Sequence, residues 1–244
     1  MSARTLALVA AGLGVAAALA VALAGLGNRW SWWGPLTAFG LLRAVLVVGL
    51  LSAVLALVAA ILALRAGTVG SLAWALLGLV LAVTAAAVPI SLLRMARSVP
   101  AIHDITTDTG NPPRLVALLE LRRGAPNSAE YGGAEVAVQQ RAAYPDIAPA
   151  VFAKPADRVF EGAVAAARRM GWTVVAAVPA EGRLEATAST PWFGFIDDVV
   201  VRVVAAPQGA RVDVRSVSRV GRSDLGANAK RIRTYIGTLT RELT

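Results

Sequence analysis

Hydrophobic positions along this chain fall into two regimes. Residues 6–26, 44–64 and 66–93 are apolar runs without a single charged side chain. Beyond residue 94 the apolar positions break up into short alternating stretches and helical periods. A helix of roughly 20 apolar residues covers the hydrocarbon core of a bilayer and satisfies its own backbone hydrogen bonds there. The three runs are apolar on every side, which a half-buried helix of a water-soluble protein is not. They predict three membrane spans in residues 1–93.

The first run exceeds the apolar core of a signal peptide, about 7–15 residues, and is read as an uncleaved span. The chain has no cysteine, so no lipid-modified cysteine can anchor it. Arg65 separates the second and third runs, which predicts a tight turn over 65–68 and an antiparallel hairpin. Pro89 predicts a kink late in the third span. Gly78 and Ala82 stand at four-residue spacing, where small residues let helices approach closely; alanine is abundant throughout, and compositional bias is the simpler reading. No span carries an ionisable residue in its middle, the usual mark of an ion or proton path. The spans read as an anchor rather than a transporter.

Residues 94–113 read as a juxtamembrane connector, extended at Pro112 and Pro113, and 114–244 as a soluble domain. Within it, 115–121 is read as a strand, 127–133 as a loop and 134–143 as a short helix. Pro155 opens a helix to about Met170, with Asp157 and Glu161 early and Arg168 and Arg169 late, as the helix dipole favours. Strands are predicted over 173–178, 183–190, 198–205 and 210–218, joined by turns at 179–182 and 207–209. A last helix over 224–243 has Ser223 as N-cap. The fold class is therefore a membrane α-helical part of three spans plus an α+β domain. That domain is a two-layer sandwich of a four-stranded antiparallel sheet with two helices on one face.

Strand alternation puts Glu185, Thr187, Arg202, Asp213 and Arg215 on the other face, together with Val200, Val204 and Val217. The valines imply that this face is covered, by residues 114–150 rather than by a partner.

Charge sharpens this picture. Residues 94–244 hold 20 basic and all 15 acidic residues, and seven of the basic ones lie in 211–233. Such a patch suits phosphate, anionic lipid head groups or an acidic partner, or is an ion-paired solvated face. No stacking aromatics or recognition motif interleave the charge, so nucleic acid is not expected. Across the membrane, Arg4 and Arg65 stand against Arg29, Arg43, Arg94 and Arg97. This leans toward a cytoplasmic soluble domain. The stretch 28–43 between the first two runs reads as a loop, and its Trp30, Trp32 and Trp33 form an interfacial belt on either orientation.

Three segments are candidates for chemistry. Residues 102–108 hold the only histidine, His103, beside Asp104 and Asp108. A zinc site needs three or four converging ligands, and a calcium loop needs more of its pattern than Asp104, Thr106, Asp108 and Asn111 supply. A hydrogen-bonded turn is the simpler reading, and no metal or cofactor is expected. Asp197 and Asp198 precede Arg202; adjacent strand residues point to opposite faces, so ion pairing is favoured over shared acid–base work. Arg215, Ser218, Arg219, Arg222 and Ser223 lie where the last strand turns into the last helix. A helix N-terminus with serines and arginines can hold an anion, or its arginines can pair with Asp197, Asp198 and Asp224. A hydrolase would have to use His103 and Asp104, far in sequence from these serines.

Four segments resemble a known family. They are Ile-His-Asp-Ile-Thr-Thr-Asp at 102–108, Tyr-Pro-Asp-Ile at 144–147, Gly-Phe-Ile-Asp-Asp-Val-Val-Val-Arg at 194–202 and the arginine-rich stretch at 213–232. In that order they are similar to the domain-of-unknown-function 1499 family over about residues 99–244. The family is largely bacterial and has no established biochemistry, so the resemblance implies no catalytic residue. Export or lipoprotein signals before some members imply an extracytoplasmic domain, against the arginine count, and the family carries more weight than one or two arginines. The expectation is a multi-pass protein of the bacterial inner membrane with a periplasmic domain. Its expected role is non-enzymatic: envelope scaffolding or partner binding, with envelope proteins or anionic lipid as partners beside the bilayer.

Overall fold

The computed structural model describes residues 1–244. They form two compact units, Met1–Met95 with Pro191–Gly194, and Ala96–Thr190 with Phe195–Thr244.

The first unit is built on α1 (Ala3–Arg29), α2 (Pro35–Arg65) and α3 (Val69–Ser98). Each is long and apolar enough to cross a membrane. Their packing is inverted relative to a water-soluble bundle. Leu50, Val47 and Val80 are 66%, 61% and 58% exposed, whereas Ala10, Ala56 and Ala75 are fully buried. Such a distribution suits lipid, where large side chains gain little from burial and helices associate through small residues. A Cβ added at Gly78 would stand 2.8 Å from the Ala10 backbone carbon, and one at Gly14 2.9 Å from the Gly78 carbonyl oxygen. Ser52 of α2 donates to the Ala10 carbonyl at 2.8 Å. Gly78 is thus a packing residue where α3 meets α1, which corrects the expectation of mere compositional bias.

Pro35 opens α2 well ahead of the 44–64 run, as proline suits the first helical turn. The α1–α2 connection is therefore a turn, not a loop over 28–43, and Arg43 lies on the helix. The turn between α2 and α3 falls where Arg65 and the left-handed Gly67 (φ +63°) place it.

The second unit is an antiparallel sheet of β1 (Asp104–Thr106), β2 (Ala150–Phe152), β3 (Thr173–Val178), β4 (Arg183–Ser189), β5 (Ile196–Ala206) and β6 (Gly209–Ser218). The order is β1-β6-β5-β4-β3, with β2 pairing β6 beyond β1. The sheet has six strands, not four. The two extra strands are three residues long and show no period in sequence. Both pair with β6: Ile105 lies opposite Ser216, and Val151 opposite Arg211. The segment 102–108 is thus part strand rather than a turn. Residues 115–121 are not a strand either; they form a bend followed by the one-turn helix α4 (Leu118–Leu121). The helix α5 (Gly133–Ala143) follows.

Two helices, α6 (Ala156–Arg169) and α7 (Ala227–Leu243), cover one sheet face. Leu184, Val199, Val201, Val212 and Val214 point into this core, with Phe160 and Leu239 from the helices. Trp172 stacks on Tyr235 with ring centroids 4.8 Å apart, and the buried Tyr235 hydroxyl donates to the Ala163 carbonyl. Helix α7 begins three residues later than expected, and Ser223 is not its N-cap. Gly226 occupies that position at φ +79°. Asp224 instead accepts from the N–H groups of Gly226 (2.8 Å) and Asn228 (2.7 Å), satisfying donors that a helix start leaves open.

The opposite sheet face is covered by the chain itself, as its valines imply. Leu115 and Leu118 pack on Val200 and Val217, with Ala129 and Val175 at the margin.

Candidate functional site

The sheet face beneath residues 108–131 carries most of the second unit's buried charge. Strand alternation on β4, β5 and β6 places Glu185, Asp198, Arg202, Asp213 and Arg215 there. Each must find a partner, because an unpaired buried charge is costly.

Arg215 and Asp104 meet across the β1–β6 pair. Nε and Nη2 of Arg215 donate to the two Asp104 oxygens at 2.9 and 2.7 Å, a bidentate pair in which both side chains are buried. Arg215 also donates to the carbonyls of Pro113 and Ala129. Its guanidinium lies 5.7 Å from the centre of the Tyr131 ring. Burial, and then the charge of Asp104, push the Tyr131 phenol up to about 12.

Asp198 takes two arginines. Arg219 binds it bidentately at 2.9 and 2.8 Å, and Arg122 reaches it at 2.6 Å. Arg122 also donates to the carbonyls of Asn127 and Ser128, so one guanidinium ties the covering segment to β5. Glu185 of β4, fully buried, accepts from the N–H groups of Val116, Ala117 and Leu118 at 2.9–3.0 Å and pairs with Arg183. These bonds hold the start of α4 against the sheet.

At the rim, Arg202 and Arg211 share Asp213 and Asp108. Burial works to raise Asp108. The N–H groups of Asn111 and Gly110 and the cations Arg211 and Arg202 outweigh it and hold the carboxyl below its ordinary 3.8.

Asp197 faces the other way, toward α7, and pairs with Arg231. A second polar network lies there. Asn228 accepts from Ser216 at 2.7 Å and donates to Ser218 at 3.0 Å and to the His103 carbonyl at 2.9 Å. Burial raises Asp224 above 3.8 against the N–H groups of Asn228 and Gly226, and the nearby Asp197 adds to the rise.

The residues singled out in sequence thus fall into separate places. Asp104 and Arg215 meet, as do Asp198 and Arg219, and Arg202 meets Asp108. Asp197 and Ser218 lie on the helix side. His103 enters the networks through its backbone. Ser223 donates to the Pro100 carbonyl at 3.4 Å, and Arg222 is exposed with no carboxylate partner. No three metal-ligating side chains converge. A shallow groove of about 260 Å³ runs past Pro112, Pro113 and Arg114 to Arg183 and Arg202; carboxylates engage Arg183 and Arg202.

Sequence reading missed Arg122, Tyr131, Asn228 and Arg231 as site residues. It also missed Gln140, whose amide accepts from Thr106 N–H at 3.0 Å and donates to Thr106 O at 2.6 Å, imitating a neighbouring strand at the free edge of β1. Asn228 carried a signal: on a helix starting near residue 224 it stands four residues before Ile232 and so on the sheet side, with Arg231 at the edge of that face.

The architecture defines a class: an α+β domain of antiparallel sheet and two helices, carried by three helices that fit a membrane anchor. The chain belongs to the family described as protein of unknown function (DUF1499), whose model matches residues 104–239. That match starts at the first residue of β1 and runs into α7, so it takes in all six strands. No curated protein and no solved structure matches the chain.

Proposed function

We propose that this protein is a non-enzymatic module of the bacterial envelope, anchored in the inner membrane with its soluble domain on the extracytoplasmic side. It acts by scaffolding or by holding a partner. The observation that carries this reading is the mutual saturation of the buried charges. Asp104, Asp198, Asp213 and Glu185 each face arginine, and three of the arginines on this face, Arg215, Arg202 and Arg122, also donate to carbonyls of the covering segment. The resemblance, which implies export or lipoprotein signals before some members, supports the extracytoplasmic side.

The partner surface in this reading is the outer side of that covering segment. Val116, Leu119 and Leu121 are 51%, 46% and 51% exposed within six residues, beside the exposed Arg114 and Arg123. Exposed apolar side chains grouped in this way mark interaction sites more often than scattered ones do. The test is rescue of a deletion strain of the native host. Val116→Glu with Leu119→Glu is expected to fold and fail to rescue, and His103→Ala to rescue fully. A folded His103→Ala protein that fails would contradict the non-enzymatic reading.

One observation favours a second reading. Arg222 is exposed and unpaired at the turn between β6 and α7, where an anionic ligand or lipid head group would meet a cation. That reading requires Arg222→Ala alone to abolish rescue.

A further inference from the structure

The unit formed by the three helices includes four residues from far along the chain. Pro191–Gly194, the loop between β4 and β5, clusters with them. Its fit on α1 is specific. The Trp192 indole N–H donates to the Ala22 carbonyl at 3.3 Å. Its ring occupies the space that a side chain at Gly25 would fill. Two residues on, Gly27 does the same for the ring of Trp33, whose N–H donates to the Ala24 carbonyl at 3.3 Å. One end of α1 thus carries two indoles side by side on glycine-opened backbone, one from the adjacent turn and one from residue 192. Phe193 is buried, stacks on Phe39 of α2 at 5.8 Å and meets Trp192 edge-on at 4.6 Å. Asn28 and Arg29 close the fit by donating to the carbonyls of Phe193 (2.7 Å) and Pro191 (3.0 Å).

The depth of this fit is what matters. Ala22 lies inside the first apolar run, about 10 Å along the helix axis from Arg29 at 1.5 Å per residue. An indole hydrogen-bonded there sits between a charged end and the hydrocarbon-length stretch. That is the level at which tryptophan, apolar in body with one polar N–H, collects in membranes. Trp30 and Trp32, at the same end, are 53% and 60% exposed, with ring centroids 5.0 Å apart and the rings tilted by 52°. Three spans also put residues 30–34 and everything after α3 on one side of a membrane, so the chain can bring residue 192 to this end.

We infer that Pro191–Gly194 is a lipid-interface element: Trp192 and Pro191 meet the bilayer at the boundary of head group and acyl chain, completing a belt with Trp30, Trp32 and Trp33. The partner is the lipid surface itself, and no apolar run in the sequence marks the contact.

The chain has no cysteine, so one introduced thiol is a unique label. Pro191→Cys, Ser31→Cys and Gln208→Cys are spin-labelled in the full chain, reconstituted into phosphatidylcholine–phosphatidylglycerol vesicles. Gln208, in the exposed turn between β5 and β6, is the aqueous reference. Collisions with oxygen and with a water-soluble nickel chelate give the depth of each label. The expected result is a label at 191 that loses nickel accessibility and matches the one at 31. A label at 191 as accessible to nickel as that at 208 overturns the inference. Trp192→Phe, which keeps an aromatic ring, gives an independent reading in the otherwise native chain. Quenching of tryptophan emission by lipids brominated near the head group is expected to fall, and quenching equal to the parent's overturns the inference as well.

Discussion

Arg215 of β6 and Asp104 of β1 form a bidentate pair at 2.9 and 2.7 Å, both buried, and this pair welds a three-residue strand to the longest hairpin of the sheet. Truncating one partner leaves the other charge in a low-dielectric site. Arg215→Ala is expected to cost about 3–5 kcal/mol, whereas replacing both residues by apolar ones, Arg215→Met with Asp104→Leu, is expected to recover most of that loss. Denaturant unfolding of the detergent-solubilised chain measures both. A double variant as unstable as the single one would mean that the charges do more than pair.

Asp198 distinguishes its two arginines by burial. The Arg122 side chain is 3% exposed and that of Arg219 18%. Arg122 also holds two carbonyls of the covering segment, so Arg122→Ala is expected to destabilise more than Arg219→Ala, by about 3 against about 1 kcal/mol. The reverse order in thermal unfolding would show that Arg219 carries the contact.

Glu185 is the clasp of α4. With its carboxylate removed, the N–H groups of Val116, Ala117 and Leu118 lose their acceptor while Leu115 and Leu118 keep their apolar contacts. Glu185→Leu, which has no acceptor, is expected to speed hydrogen exchange at these three amides without unfolding the sheet. Unchanged protection there would place the segment's stability in its apolar packing alone.

Asp108 sets an acid limb of stability. Its folded pKa lies below the ordinary 3.8, so the folded protein binds fewer protons than the unfolded chain between the two values. The stabilisation is present above 3.8 and is lost as pH falls through the folded pKa. Asp108→Asn is expected to be less stable than the parent near neutrality and to converge with it in strong acid. A gap between the two proteins that persists undiminished in acid would contradict the assignment to ionised Asp108.

How far the sequence carried follows from what each element needs. The spans, α6 and the four longer strands announce themselves through period and length. The opposite facing of Asp197 and Asp198 follows from strand alternation, and the self-covered outer face from the valines at 200 and 217. The strands β1 and β2 were hidden because three residues carry no period, and Asp104 looks like a turn residue until Arg215 is known to lie across from it. Ser223 resembles a cap and so predicts α7 too early; Asp224, with two side-chain oxygens, satisfies the N–H groups of both Gly226 and Asn228. Arg122 and Glu185 were illegible as partners because their bonds join segments some 70 residues apart. Trp192 was illegible for the same reason: its site is the absence of a side chain at Gly25.

The proposed envelope role requires the C-terminal domain to lie outside the cytoplasm. Paired reporters fused after Thr244, one active only outside the cytoplasm and one only inside, test this directly in the native host. Activity of the outside reporter alone is the predicted result. Activity of the inside reporter alone would contradict the envelope reading, agree with the arginine count across the spans, and direct attention to cytoplasmic phosphates as ligands for Arg222.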